Sequence, residues 1–338
     1  MKKLGSIIIS VEGKQLTPEE QQTLMHKNIG GLILFSRNFA NKQQLIQLVQ
    51  SVRKINPHII IMVDHEGGRV WRFKNDEFPN PGPMNQLGDL YLNNPKLALE
   101  TAFTYGKQIA THLLECDIDL NLAPVLDLNH NNISSVIGDR AIHSDPQIIA
   151  FLAAQFIKGQ QAAGMQAVGK HFPGHGAIAA DTHTEIAIDA RDRQTIFNQD
   201  LRVFELLIAK NQLPALMPAH VIYTDIDPKP AGFSKIWLQD ILRKKLNFKG
   251  AIISDCLSMK AAQQFMSHAT DPQIINLKLA QQALQAGCDL IIFNGLQGIN
   301  LMHLLDNLNW NCSAEQVTRI NSLKANYNQV INPCCIKV

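Results

Sequence analysis

The chain has 338 residues, 46% of them hydrophobic and 18% charged, and its 31 basic and 29 acidic residues leave a net charge of +2. That length and apolar content fill a sizeable core. The even charge balance, with no long like-charged run, removes any electrostatic case for nucleic acid or an anionic membrane surface as partner. No apolar run approaches the roughly 18 to 20 residues of a membrane-spanning helix, so the expected partner is a small molecule.

The opening MKKLGSIIISVEG sets two lysines ahead of an apolar run. The run is short, Glu12 interrupts it and no small-residue cleavage site follows, so it reads as a first strand, SIIIS at 6–10, and not as a signal peptide. TPEEQQTLMHKN then has helical spacing, and strand GLILF (31–35), helix NKQQLIQLVQSVRK and strand IIIMVD (59–64) follow. A long loop rich in Gly, Pro, Asn and Asp covers 65–90, ahead of helix LALETAFTYGKQIATHLLE and strand DIDLNLAP (117–124). Helix PQIIAFLAAQFIKGQQAA leads to strand QAVGKHF (166–172) and a second long loop at 172–190. Strands ALMPAH (215–220) and GAIISD (250–255), helix INLKLAQQALQAG and strand CDLIIFN (288–294) complete the pattern, and INPCCIKV (331–338) reads as a short tail. Near-continuous apolar strands alternating with amphipathic helices mean a parallel sheet covered by helices, and eight such units fit a closed (β/α)8 barrel, the TIM barrel, as one domain over 1–338. The six cysteines at 116, 256, 288, 312, 334 and 335 are scattered like reduced thiols, which suits the cytoplasm.

The polar residues support the barrel independently. Asp64, Asn121, Lys170, His171, His220, Asp255 and Asn294 fall in or just after the C-terminal part of a strand. That is the end at which such barrels build their sites.

Within KHFPGHGAIAADTHTE, Asp181 lies two residues from His183, where it can orient the imidazole for general acid and base work. The blander reading is a local loop hydrogen bond. Asp255, ending an apolar strand, is a nucleophile, a metal ligand or a helix N-cap. Asp64, Arg140, Lys170, His171 and Asn294 together offer the donors and acceptors that a sugar ring demands. Against this, the blander reading of Arg140 is a surface ion pair with Asp139 or a structural link to a neighbouring loop, and that of Asp64 and Arg69 is only to pin their loop around Gly67 and Gly68. His175, between glycines, shapes its loop. His65, His220 and Trp71 are pocket-wall residues or structural ones. A metal-dependent barrel hydrolase is the rival, yet the first strand offers no histidine, and His171 to His175 spans a Pro-Gly turn without helical geometry.

The whole chain resembles a single-domain β-N-acetylhexosaminidase of glycoside hydrolase family 3, of the bacterial type that recycles cell-wall muropeptides. GGLILFSRNF, VDHEGGRVWRF, NLAPVLDLN, VIGDRAIHSDP, GKHFPGHGAIAADTHTE, LMPAHVIY, GAIISDCLSM and AGCDLIIFN carry the resemblance, in the family's order. It implies Asp255 as nucleophile, His183 with Asp181 as acid/base, and Asp64, Arg69, Arg140, Lys170 and His171 as sugar-binding residues. It implies neither metal nor other cofactor, and a monomer acting on a glycan of the N-acetylglucosaminyl-anhydromuropeptide kind. His65 stands where the family pattern has glutamine, and Cys256 where it has a second aspartate. A phosphorylase of the same family is the alternative outcome.

Overall fold

The computed structural model describes residues 4–75, 77–131, 133–182, 185–265 and 271–325. Eight parallel strands close into a barrel: β1 (Ile7–Ile9), β2 (Ile29–Leu34), β3 (Ile60–Val63), β4 (Leu120–Asn121), β5 (Gln166–Phe172), β6 (Ala215–Pro218), β7 (Ala251–Cys256) and β8 (Leu290–Phe293). Each pairs with the next in sequence order, and β1 pairs with both β2 and β8. The expected (β/α)8 barrel is present with all of its strands. β4 is shorter than the 117–124 stretch suggests. Asp117 takes a turn at φ 58°, and Pro124 has no N–H to give to a ladder.

Side chains alternate across each strand. Ile8, Ile33, Met62, Val168, Ile253 and Ile292 belong to one buried cluster, while Ile7, Ile9, Leu32, Ile61 and Ile252 belong to the other, with the helices. The first fills the barrel axis and the second joins strands to helices. Each such side chain contributes about 1.5–3 kcal/mol when fully buried.

The helices begin where the sequence supplies caps. Asn41, Asn94, Asp145 and Asp271 accept backbone N–H bonds at the starts of Lys42–Ile55, Pro95–Leu114, Pro146–Ala163 and Pro272–Ala286, each cap contributing about 1 kcal/mol. Pro95–Leu114 and Pro146–Ala163 cross closely. A Cβ on Gly106 would lie 2.0 Å from the Phe156 carbonyl oxygen, so only glycine fits there. No helix among the described residues is long and apolar enough to cross a membrane.

Both long loops carry structure of their own. After β3, His65–Gly67 and Val70–Trp71 form an antiparallel hairpin whose turn needs Gly67 at φ 110° and Gly68 at φ 59°. Asn85–Asn93 is helical. The loop after β5 ends in a short strand, Ala187–Asp189, paired with Val221–Tyr223. The tail at 331–338, with Cys334 and Cys335, lies outside the described residues.

Candidate active site

The register that turns Met62 inward turns Asp64 to the same side, and in the same way Val168 leads to Lys170, Ile253 to Asp255 and Ile292 to Asn294. Each strand thus runs apolar through the barrel and turns polar at its C-terminal mouth. A cavity of about 500 Å³ opens there, and Asp64, Lys170, Asp255 and Asn294 all line it. The β5 register slips against β6 between Lys170 and Phe172, and the successive residues Lys170 and His171 both reach the cavity.

Along one wall runs a chain of alternating charge. Arg72 Nη2 lies 3.3 Å from Asp64 Oδ2, and Lys170 Nζ donates to Asp64 Oδ1 at 2.7 Å. Lys170 Nζ is also 2.6 Å from Glu66 Oε1, and Glu66 receives Arg140 through Nε at 2.8 Å and Nη2 at 2.9 Å. Burial alone would push the Asp64 and Glu66 carboxyls up. The adjacent cations outweigh it, Lys170 and Arg72 for Asp64 and Arg140 and Lys170 for Glu66, so both are held below the usual carboxylate range. Burial likewise works against the charge on Lys170, and Asp64 and Glu66 more than offset it, raising its pKa. All of these groups are therefore ionised near neutral pH, presenting fixed donors and acceptors to a ligand.

His171 is held from behind. Its Nδ1 donates to Asp127 Oδ2 at 2.7 Å, and Asp127 Oδ1 accepts the backbone N–H of His171 at 3.2 Å and of His175 at 2.7 Å. That fixes the proton on Nδ1 and leaves Nε2 for a ligand. Asp127 is fully buried. Burial raises its carboxyl, but His171 and the N–H bonds bring it below the usual range. The loop that follows is tied at both ends to one segment: Tyr223 Oη donates to the Gly174 carbonyl at 2.6 Å, and Val221–Tyr223 pairs with Ala187–Asp189. Between these ties His175 Nε2 and Thr182 Oγ1 are 3.3 Å apart, and Asp181 and Thr182 line the cavity. His183, the expected acid/base, lies outside the described residues.

At the other side, Asp255 Oδ1 accepts the Cys256 N–H at 2.7 Å. Asp255 is not a helix cap, because the next helix begins at Lys260. Cys256 lines the cavity beside it, with Sγ accepting the Asn294 N–H at 3.3 Å, and burial raises the thiol's pKa. Arg37 donates to Asn294 Oδ1 at 3.1 Å. Among the described residues no three His, Cys, Asp or Glu side chains converge to hold a metal ion.

Of the sequence-predicted site residues, the cavity brings together Asp64, Arg69, Arg140, Lys170, His171, Asp181 and Asp255. Arg140 does not pair with Asp139; it pairs with Glu66, and Asp139 takes Arg69 at 2.7 Å. Arg69 also donates to the Ser135 and Val136 carbonyls, so it ties two loops at the rim, and Arg72 is the arginine at Asp64. His175 both shapes its loop and lines the cavity. His65, Trp71 and His220 do not line it. Asn121 braces the His65 backbone through both its amide atoms, and His220 Nε2 donates to the Cys256 carbonyl at 3.1 Å. Glu66, Arg72 and Asp127 escaped the sequence reading. Glu66 carried a signal: an acidic residue two beyond a strand-end aspartate, at a hairpin turn, requires a cation if it is buried.

A (β/α)8 barrel with paired acidic and basic groups converging on a cavity at the C-terminal mouth has the architecture of a barrel enzyme. The family model described as the glycosyl hydrolase family 3 N-terminal domain matches residues 2–323. A β-hexosaminidase of Psychromonas ingrahamii is 43% identical over 331 residues, covering 97% of this chain and 93% of that protein. One of Shewanella frigidimarina is 45% identical over 327 residues, covering 96% and 92%. The crystal structure of NagZ from Neisseria gonorrhoeae in complex with N-trifluoroacetyl-D-glucosamine superposes with a TM-score of 0.87 at 36% identity, covering 96% of this chain and 91% of that one. The chain belongs to glycosyl hydrolase family 3, and it is a glycoside hydrolase.

Proposed function

We propose that the chain is a retaining exo-β-N-acetylglucosaminidase that works through a covalent glycosyl-enzyme on Asp255. The observation that carries this reading is the placement of Asp255 in the inward register of β7, on the same cavity as the charged wall of Asp64, Lys170 and Arg140. Asp64, Arg140, Lys170 and His171 hold the sugar's hydroxyl groups, Arg72 assists at Asp64, and Arg69 acts by fixing the rim. Asp255 attacks the anomeric carbon while His183, steadied by Asp181, protonates the leaving oxygen. His183 then takes a proton from water as it attacks the glycosyl-enzyme, releasing the sugar with retained configuration.

The names of the relatives, β-hexosaminidase, and the N-acylated glucosamine held by the Neisseria gonorrhoeae protein support an N-acetylhexosamine substrate. Within that class the reading takes terminal N-acetylglucosamine on anhydromuropeptides, with the chain acting as a single-domain cytoplasmic monomer that needs no metal.

The test compares initial rates on the para-nitrophenyl β-glycosides of N-acetylglucosamine and glucose, with and without chelator, for native protein, Asp255→Ala and His183→Ala. The expected result is turnover of the N-acetyl substrate alone, no effect of chelator, and loss of most activity in both variants. Mass spectrometry after reaction with a deoxyfluoro glycoside should find the sugar on Asp255. Near-native activity in Asp255→Ala, or abolition by chelator, would overturn the assignment.

A further inference from the structure

We propose that Glu66 is a positioning residue: it holds Arg140 and Lys170 at the separation and orientation in which they meet the sugar. The inference rests on the sugar-binding role given above to those two cations. Glu66 is 1% exposed, and its two oxygens already accept from three donors: Lys170 Nζ and Arg140 Nη2 at Oε1, and Arg140 Nε at Oε2. Glu66 borders the same cavity, and with its oxygens taken by these three donors it acts through the cations.

Its place in the chain of charges is specific. Among the described residues Lys170 has one other anionic partner, Asp64, which also faces Arg72. Arg140 has no other carboxylate in contact among the described residues; its remaining bond is to the Val136 carbonyl at 3.1 Å, and Asp64 and Asp127 act on it only at longer range. Without Glu66, Arg140 and Lys170 face each other as like charges in a buried wall, and neither keeps its geometry. The hairpin turn at Gly67 and Gly68 sets Glu66 between them, so the loop after β3 aligns residues supplied by the loop after β4 and by β5 itself.

The experiment measures kcat and KM on the para-nitrophenyl N-acetylglucosaminide for native protein, Glu66→Gln, Glu66→Asp and Glu66→Ala, the last with and without formate. Lys170→Ala and Arg140→Ala run alongside. Expected is a fall in kcat/KM of roughly 100-fold for Glu66→Gln, and a smaller loss, mainly in KM, for Glu66→Asp. Formate, a small carboxylate able to occupy the vacated space, should restore Glu66→Ala by about tenfold or more and leave native protein unchanged. A merely structural residue would not respond to formate. Glu66→Gln within about threefold of native, or a folded and impaired Glu66→Ala that formate does not improve, would overturn the proposal. Should Lys170→Ala and Arg140→Ala keep native activity, the sugar-binding reading itself fails, and that result is separate from any result at Glu66.

Discussion

His65 sits behind the cavity wall, 1% exposed, its ring on Trp71 with centroids 3.5 Å apart and its Nδ1 accepting the Arg72 N–H at 3.3 Å. Burial first, and then the Arg72 charge, push its pKa down from 6.5 to about 3. The folded protein therefore keeps the ring neutral over a range in which the unfolded chain protonates it. Stability from this residue is complete above pH 6.5 and falls as pH drops from there towards the folded value, because the unfolded state binds the extra proton. Between pH 7.5 and pH 5 the loss is about 2 kcal/mol. His175 and His220 are shifted in the same direction, chiefly by burial, and steepen the native dependence further. His65→Gln removes one titrating group, and its side-chain oxygen can still accept the Arg72 N–H. Denaturant unfolding at pH 7.5 and pH 5 should show a stability difference smaller in the variant than in native protein by about 2 kcal/mol. An equal difference in the two proteins would refute the reasoning and show that His65 titrates in the fold as it does in water.

Asp127→Asn should lower kcat/KM by roughly 30-fold, since an amide N–H₂ would then face the His171 Nδ1 proton; unchanged kinetics would remove His171 from substrate contact. Cys256→Asp places a second carboxyl beside Asp255, and like charge disfavours ionisation, so the acid limb of kcat/KM should move to higher pH; no movement, or movement to lower pH, contradicts this. Gly106→Val should destabilise the fold by about 3 kcal/mol, read as a lower denaturant midpoint, because its Cβ meets the Phe156 carbonyl. The folded variant should keep native kcat, as that helix crossing is remote from the cavity.

The barrel was legible because buried parallel strands read as short apolar runs, and because Asp64, Lys170, Asp255 and Asn294 each break such a run at the same end. Those four are fixed by strand register alone, a local property. Glu66, Arg72 and Asp127 were not legible in the same way. Glu66 meets Arg140 across 74 positions of sequence and Asp127 meets His171 across 44, and only the pairing of β3 with β4 and of β4 with β5 makes them neighbours. Arg69 and Arg72 show the limit most directly. Three residues apart on one hairpin, they have the same side chain, and the turn sends one to Asp139 and the other to Asp64.

The two ties on Val221–Tyr223 have an architectural consequence. Because the Gly174 carbonyl and the Ala187–Asp189 strand are both fastened to that one short strand, the chain between them leaves and returns at a fixed doorway that the barrel already supports. The entropic cost of a longer chain there grows only with the logarithm of its length, about 0.6 kcal/mol per doubling. Asp181 and Thr182 in this stretch line the cavity, so added length is tolerated on either side of them while the floor of the cavity, carried by the barrel strands, stays where it is.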